Sequence, residues 1–109
     1  MRVLQFLVEG DSIREDPSCS FDGLFPGRND HVQARFTFSP EWKSRVKVAA
    51  FWSPLDHEYE PQPIDEDGTC MIPVEALRKT TFKVQVLTKI NGSIVPTNKL
   101  TVYQKGGTL

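Results

Sequence analysis

The side chains best suited to acid–base chemistry lie together between Asp56 and Glu60. His57 stands between Asp56 and Glu58, and two flanking carboxylates would raise its proton affinity. A catalytic base or a pH-sensitive contact is one interpretation, and a solvated loop histidine is the other, which we favour. Paired carboxylates for glycoside hydrolysis also need a substrate cleft, for which a chain of 109 residues offers little depth. We therefore expect a protein that is not an enzyme.

Aromatic residues near this loop are the other candidates for a site. Exposed aromatic rings can stack on a sugar or anchor a protein partner. We expect Trp42 and Phe51 to belong to the core, whereas Trp52 and Tyr59 suit the core and the surface equally well. The candidate binding residues are therefore Trp52, His57 and Tyr59.

Metal and cofactor sites find no support in the sequence. Asp65 and Asp67 with Gly68 resemble the start of a calcium loop, but the places that need glycine and glutamate hold Cys70 and Ala76. These residues indicate an acidic turn instead. Cysteines and histidines are not closely spaced as zinc ligands would be, and no glycine-rich phosphate-binding motif occurs. We expect neither a metal nor a cofactor.

The two cysteines, Cys19 and Cys70, leave two interpretations open. A sandwich could join them as a disulfide between its sheets, but a tryptophan placed to pack against such a bridge is not evident. We favour two buried free thiols.

Charge and hydropathy exclude some classes of partner. The 13 basic and 14 acidic side chains are dispersed and give a net charge of −1, so we expect no nucleic-acid partner. No apolar run approaches 18 residues and no signal-peptide pattern occurs at the start. We therefore expect no membrane partner, and a protein made in the cytoplasm without processing.

Short alternating segments separated by turns dominate the rest of the chain. In the best of them, residues 31–38, apolar and polar side chains alternate with the period of a half-buried strand. Residues 45–52 follow, with Val46 and Val48 predicted to face inward. Asn91-Gly92 is a strong hairpin signal. Further strands are predicted over residues 2–8, 69–72, 82–88, 93–95 and 99–104, with an edge segment at 58–64, a possible strand at 19–24 in the loop-rich region 12–27, and a helical turn at 73–78.

This pattern predicts an all-β protein, an immunoglobulin-like antiparallel β-sandwich of seven or eight short strands with one short helical turn. We expect one domain over residues 1–104. Residues 105–109, which contain Gly106 and Gly107, are expected to form a flexible C-terminal tail.

Three segments carry a resemblance to a known family. They are FTFSPEWKSRVKVAAFW from Phe36, DEDGTCMIPVEALRKTTFKVQVL from Asp65, and VPTNKLTVYQKGG from Val95. They resemble an immunoglobulin-like domain of virion structural proteins from phages and prophages of Gram-positive bacteria, such as head fibres, decoration proteins and baseplate or receptor-binding proteins. The matching positions are Trp42, Ala50, Phe51, Gly68, Cys70, Ile72, Pro73, Leu77, Phe82, Val84, Thr97 and Asn98. Residues 11–30 depart from the pattern.

The resemblance implies a non-enzymatic module of the virion, assembled in the host cytoplasm. It would dock on a capsid or baseplate, in a decoration, fibre or adhesion role, through loops and through sheet edges such as residues 58–64 or the C-terminal strand. Its partners would be other virion proteins or copies of itself. The alternative is a carbohydrate-binding module that recognises a cell-surface or cell-wall glycan through exposed aromatics.

Overall fold

The alternating segments form the strands of two sheets that pack face to face. The computed structural model describes residues 2–27 and 31–104. The first sheet has the order β2-β1-β3-β6, with β1 Arg2–Glu9, β2 Ser12–Glu15, β3 Val32–Phe38 and β6 Thr69–Met71. The second has the order β5-β4-β7-β8, and β9 also pairs with β7; its strands are β4 Val48–Trp52, β5 Gln62–Pro63, β7 Thr81–Ile90, β8 Ser93–Pro96 and β9 Leu100–Tyr103. Helix α1 is Val74–Leu77, and Pro40–Trp42 is a 3-10 turn. The predicted all-β sandwich is confirmed.

One strand pair differs from the antiparallel arrangement that we expected. β1 and β3 run parallel, from the pair Arg2 and Val32 to the pair Val8 and Phe38. A parallel pair needs a long connection, which the chain supplies with β2 and the segment after it.

The core between the sheets is built from the inward face of each strand. Trp42 is 1% exposed, and its indole N–H donates to the carbonyl oxygen of Gly10 at 2.8 Å. Phe51 is fully buried, and Phe6 stacks on Phe36 with 5.3 Å between ring centroids. The predicted core positions of Trp42 and Phe51 are therefore confirmed. The other fully buried apolar side chains of this core are Leu4, Val8, Val32, Ala34, Ala49, Ala76, Phe82, Val84, Val86 and Val102.

Three local predictions need correction. The strand predicted from residue 45 begins at Val48, and neither valine predicted to face inward does so: Val46 is 75% exposed, and Val48 alternates with the core residue Ala49 and lies on the outer face. The amide of Arg45 still bonds the carbonyl of Trp42, and Ser44 has a φ of 67°, so the chain is in a turn at this point. Residues 19–24 form no strand. Ser12–Glu15, which we placed in a loop, is β2.

The turns predicted at Gly68 and at Asn91-Gly92 have the backbone conformation that was expected of them. Gly68 has a φ of +83°, and Asn91 and Gly92 both have positive φ, as a two-residue hairpin requires. The helical turn is shorter than predicted, because Pro73 precedes the helix at the N-cap. The predicted flexible tail, residues 105–109, lies outside the described residues.

The side chain of Asn98 joins the two sheets along one side of the sandwich. Its Oδ1 accepts from the amide of Ile13 in β2 at 2.8 Å, and its Nδ2 donates to the carbonyl of Ile13 at 3.4 Å. The amide of Asn98 also donates to the carbonyl of Asp11. Asn98 thus pairs with β2 as another strand would.

Both cysteines are free thiols. Cys70 lies on β6 and is buried, and desolvation raises the pKa of its thiol to about 12. Cys19 is half-buried beside β1, where its Sγ accepts from the amide of Gln5 and donates to the carbonyl of Val3. Of the two interpretations in the sequence, free thiols match the structure, although only Cys70 is buried.

Candidate functional site

β4 presents side chains to both faces of the second sheet. Ala49 and Phe51 belong to the core, so the intervening positions point to the outer face. Trp52 lies at one end of this outer face and Val48 near the other. The face therefore has a polar end around Trp52 and an apolar end around Val48.

At the polar end, a lysine covers the Trp52 ring. Nζ of Lys99 lies 3.7 Å from the ring centroid, within the range of a cation–π contact. Nζ of Lys83 and Nζ of Lys99 both donate to Oδ1 of Asp56, at 2.9 and 3.4 Å. The hydrogen bond from Lys83, together with the charges of both lysines, lowers the pKa of Asp56. Asp56 therefore holds the ammonium group that covers the indole.

A tight loop aims Asp56 at these lysines. The hydroxyl of Ser53 accepts from the amides of Leu55 and His57, and the carbonyl of Ser53 accepts from the amide of Asp56. Asp56 has a φ of 60°, which aspartate tolerates better than most residues. In the sequence, Asp56 stands out as a neighbour of His57 and as one of several nearby carboxylates. Its partners Lys83 and Lys99 could not be identified there, because they are far away along the chain.

The indole nitrogen of Trp52 is the least satisfied polar atom of this cluster. Nε1 is buried and has no hydrogen-bond acceptor among the described residues. An indole N–H without an acceptor carries a desolvation cost of about 1–3 kcal/mol.

The other two predicted site residues lie apart from Trp52. Glu58 and Trp52 form an isolated antiparallel β-bridge, so Tyr59 stands opposite Phe51. The amide of Tyr59 donates to the carbonyl of Phe51. Cross-strand partners share a face, and the Tyr59 ring accordingly packs against the core. Burial, followed by the charge of Glu75, raises the pKa of Tyr59. The structure therefore does not bring Trp52 and Tyr59 together on one face.

His57 accompanies Tyr59 instead of Trp52. The two rings meet edge to face, with 6.0 Å between their centroids. The imidazole is exposed on the loop.

The apolar end of the outer face contains a groove that the sequence analysis missed. Its volume is about 250 Å³. Val46 and Ile94, which line it, are 75% and 66% exposed. The remaining lining residues are Val48, Pro61, Leu87, Thr88 and Lys89. These residues come from four separate parts of the chain, and Val46 was predicted to face inward, so no signal in the sequence indicated the groove.

A second cleft, of about 320 Å³, lies where the two sheets separate beside β9. Tyr103 lines one wall, and the segment from Glu15 to Asp22 lines the other. Further along the same boundary between the sheets, Asn98 joins them by its hydrogen bonds to Ile13, so the cleft is the part of this boundary where the sheets stay apart.

Neither a metal site nor a membrane-spanning helix is present in the described part of the chain. Across residues 2–27 and 31–104, no three His, Cys, Asp or Glu side chains are grouped so that they could hold a metal ion. In that part of the chain, no helix has the length and apolar character needed to cross a membrane.

The chain was also compared with models of protein families, with curated proteins and with solved structures, and none of the three comparisons gave a match.

Proposed function

We propose that the protein is a non-enzymatic docking module that attaches to a larger protein assembly through the outer face of its second sheet. The observation that carries this proposal is the apolar groove beside Val48. A folded chain gains little by leaving large aliphatic side chains in water, and contiguous exposed apolar surface marks interaction sites.

The exposure of two groove residues makes the argument quantitative. Val46 is 75% exposed and Ile94 is 66% exposed. Full burial of such side chains by a partner is worth roughly 1.5–3 kcal/mol each. Lys89 lies at the same groove and supplies the charged rim that often surrounds an apolar interface centre. The groove therefore suits a protein partner with an apolar side chain to insert.

The setting that we propose is a phage particle, with the module on a capsid or baseplate. Support for this setting comes from the resemblance of the segments that start at Phe36, Asp65 and Val95. The partner would be another virion protein, and the module would be located in the virion.

The test is incorporation of the chain into particles. Particles are purified from an induced prophage host that expresses the tagged wild-type chain, and the tag is located by immunogold labelling. We expect the wild-type chain to sediment with the particles and the Val46→Glu chain to remain unbound, because a charge in the groove opposes burial. Leu55→Glu is the matched control, since Leu55 is 92% exposed and outside the groove. A wild-type chain that never sediments with particles would refute the proposal.

A second candidate is a carbohydrate-binding module centred on Trp52. The specific observation is that hydrogen-bonding groups of Asp56 and Lys83 lie beside a half-exposed indole. A sugar ring could stack on this face of the indole only after Lys99 moves away from it. Cell-wall polysaccharide is titrated while tryptophan fluorescence is followed. If the protein is a carbohydrate-binding module, Lys99→Ala should bind the polysaccharide more tightly than wild type. Trp52→Ala should not bind it, and Leu55→Ala should bind it as wild type does. Unchanged fluorescence in every chain would exclude the second candidate.

A further inference from the structure

β9 has an unusual edge when the strand edges of the sandwich are compared. A strand at the edge of a sheet points every second N–H and C=O away from its partner, and proteins normally blunt such edges. The hydrogen bonds between the strands determine which residues of each strand point outward.

On β5 the outward positions are prolines. The amide of Ile64 donates to the carbonyl of Lys47, so Gln62 also bonds with β4, and Pro61 and Pro63 point away. Proline has no N–H, and this edge therefore offers no donor. The predicted docking edge at residues 58–64 is thus a poor one for strand addition.

The β2 and β8 edges are each blunted at one outward residue. On β2, Asn98 bonds both the amide and the carbonyl of the outward residue Ile13. On β8, the amide of Thr97 donates to the carbonyl of Val86, which leaves Ile94 and Pro96 as the outward residues. Only Ile94 of these two has a donor.

The β6 edge is partly covered by the turn before it. The carbonyl of Thr69 accepts from the amide of Asp65, and the amide of Thr69 donates to Oδ1 of Asp67. Met71 is the other outward residue, since the amide of Ile72 donates to Val32. One unblunted residue remains on this edge.

On β9, two outward residues retain both their donors and their acceptors. The amide of Gln104 donates to the carbonyl of Thr80 at 2.7 Å, so Val102 bonds with β7, and Thr101 and Tyr103 point away. Within residues 2–27 and 31–104, the amides and carbonyls of Thr101 and Tyr103 have no hydrogen-bond partner. The cleft between β9 and the segment from Glu15 to Asp22 leaves space beside this edge.

The edge of β9 is complementary to itself. In an antiparallel pair about a two-fold axis through Val102, Thr101 of each copy faces Tyr103 of the other. Both residues of each pair then exchange N–H···O bonds, which gives four bonds across the axis. The Tyr103 ring, 54% exposed, packs over the β-branched Thr101 of the second copy, a favourable cross-strand pair.

Charge also matches under the same axis. Beside Thr101, the two ammonium groups of Lys83 and Lys99 face the single carboxylate of Asp56, which leaves that end positive. Beside Tyr103, residues 15–22 contain three acidic residues and no basic one. Arg2 and Arg14 are bases that act on this segment, so a net negative charge remains there. The axis places the positive end of one copy opposite the negative end of the other.

We infer that two copies of this chain pair through their β9 edges, in antiparallel register about Val102, so that the second sheet continues from one copy into the next. This inference extends the proposed docking role by naming a partner, a second copy. The β9 edge is distinct from the groove, so the dimer inference and the docking proposal can be refuted independently.

The test is sedimentation velocity of the full chain over a wide range of concentration. We expect a reversible dimer that weakens as salt is raised, because part of its stability is electrostatic. Thr101→Pro removes the outward donor from each copy without disturbing the bonds to β7, and should raise the dimer dissociation constant by roughly tenfold or more. Met71→Pro is the matched control, because it removes an outward donor from β6, outside both the groove and the β9 edge, and should leave the dimer unchanged.

A second variant tests the dimer even if Thr101→Pro fails to fold. Tyr103→Lys leaves the backbone intact and adds an ammonium group to the cross-strand row that contains Thr101 and Lys83 of the other copy. Repulsion from Lys83 should therefore also weaken the dimer, while circular dichroism and thermal unfolding verify the fold. A wild-type chain that stays monomeric at every concentration overturns the inference, and so does a Thr101→Pro dimer as tight as wild type. Particle incorporation with a monomeric chain would refute the β9 dimer alone, and a dimer that never joins particles would refute the docking proposal alone.

Discussion

Replacing Gly68 by alanine should destabilise the protein strongly, because two separate costs add at this position. Gly68 has a φ of +83°, in the region that disfavours any residue with a Cβ. A Cβ added here would also lie 2.6 Å from the carbonyl oxygen of Phe36. The amide of Phe36 donates to the carbonyl of Gly68 at 2.8 Å, so the two backbones are held together.

The expected loss can be estimated from these two terms. Left-handed backbone strain costs roughly 1–2 kcal/mol for an alanine. Overlap with a backbone oxygen cannot be relieved by rotating a side chain, so β6 must shift from β3, and such overpacking costs about 1–3 kcal/mol. The sum is roughly 2–5 kcal/mol, which corresponds to a fall in Tm of roughly 8–20 °C for a domain of this size.

Gly92 supplies the matched control. Its φ of +81° is nearly that of Gly68, but a Cβ there meets nothing within 4 Å. Gly92→Ala therefore reports the strain alone, roughly 1–2 kcal/mol, and the difference between the two variants reports the overlap. Urea unfolding followed by circular dichroism measures both free energies. Equal losses in the two variants would refute the argument that β6 is fitted closely to β3.

Three further predictions concern other contacts. Asn98→Ala should lower the free energy of unfolding by about 1–2 kcal/mol, because both hydrogen bonds to Ile13 are lost; Asn98→Asp should cost at least as much, since a carboxylate repels the Ile13 carbonyl. In the native protein at mildly alkaline pH, iodoacetamide should modify Cys19, while Cys70, buried with a pKa of about 12, should react only after unfolding. Glu41→Gln should destabilise the protein at neutral pH but not in acid. The hydrogen bond from the Ser39 hydroxyl lowers the pKa of Glu41 in the folded protein below its ordinary value of 4.5. The stability that this lowered pKa provides is present above pH 4.5 and is lost as the pH falls through the folded-state pKa.

Each of these predictions has a measurement and a result that contradicts it. Urea unfolding of the two Asn98 variants would contradict the first if both were as stable as wild type. Mass spectrometry of the labelled protein would contradict the second if Cys70 reacted as fast as Cys19. Thermal unfolding from neutral pH to pH 3 would contradict the third if the difference between Glu41→Gln and wild type stayed constant.

The sequence predicted best where one short segment determines its own structure. β3 was predicted because its alternation is regular from Val32 to Phe38, and one face of it is buried. The turns at Gly68 and at Asn91-Gly92 were predicted because few residues adopt positive φ. In these places local preference and the tertiary structure agree, which is the condition for a correct local prediction.

Prediction failed where distant contacts decide. β2 carries one buried apolar residue, Ile13, and is held as a strand by its pairing with β1 and by Asn98. Four residues show almost no period, so nothing local distinguished this strand from a loop. The parallel pairing of β1 and β3 likewise depends on the path of the chain between them.

The candidate site was predicted only in part for the same reason. Trp52 was named because it is aromatic and close to a loop, and it does lie on the outer face. Tyr59 was paired with it by proximity in sequence, but the register that joins Glu58 to Trp52 sends Tyr59 to the core. A one-residue difference in register reverses the face of a side chain, and sequence spacing across a loop cannot fix that register.

β7 links the two proposed surfaces physically. Phe82 and Val84 are fully buried, so they anchor the strand in the core and fix the side chains between and beyond them. Leu87 then forms part of the groove, and Lys83 stands beside Thr101 at the β9 edge. A partner in the groove and a second copy on the edge would therefore both bear on one rigid ten-residue strand, yet they lie toward opposite ends of it. Because the two surfaces share a support and no contact residue, their binding free energies should add.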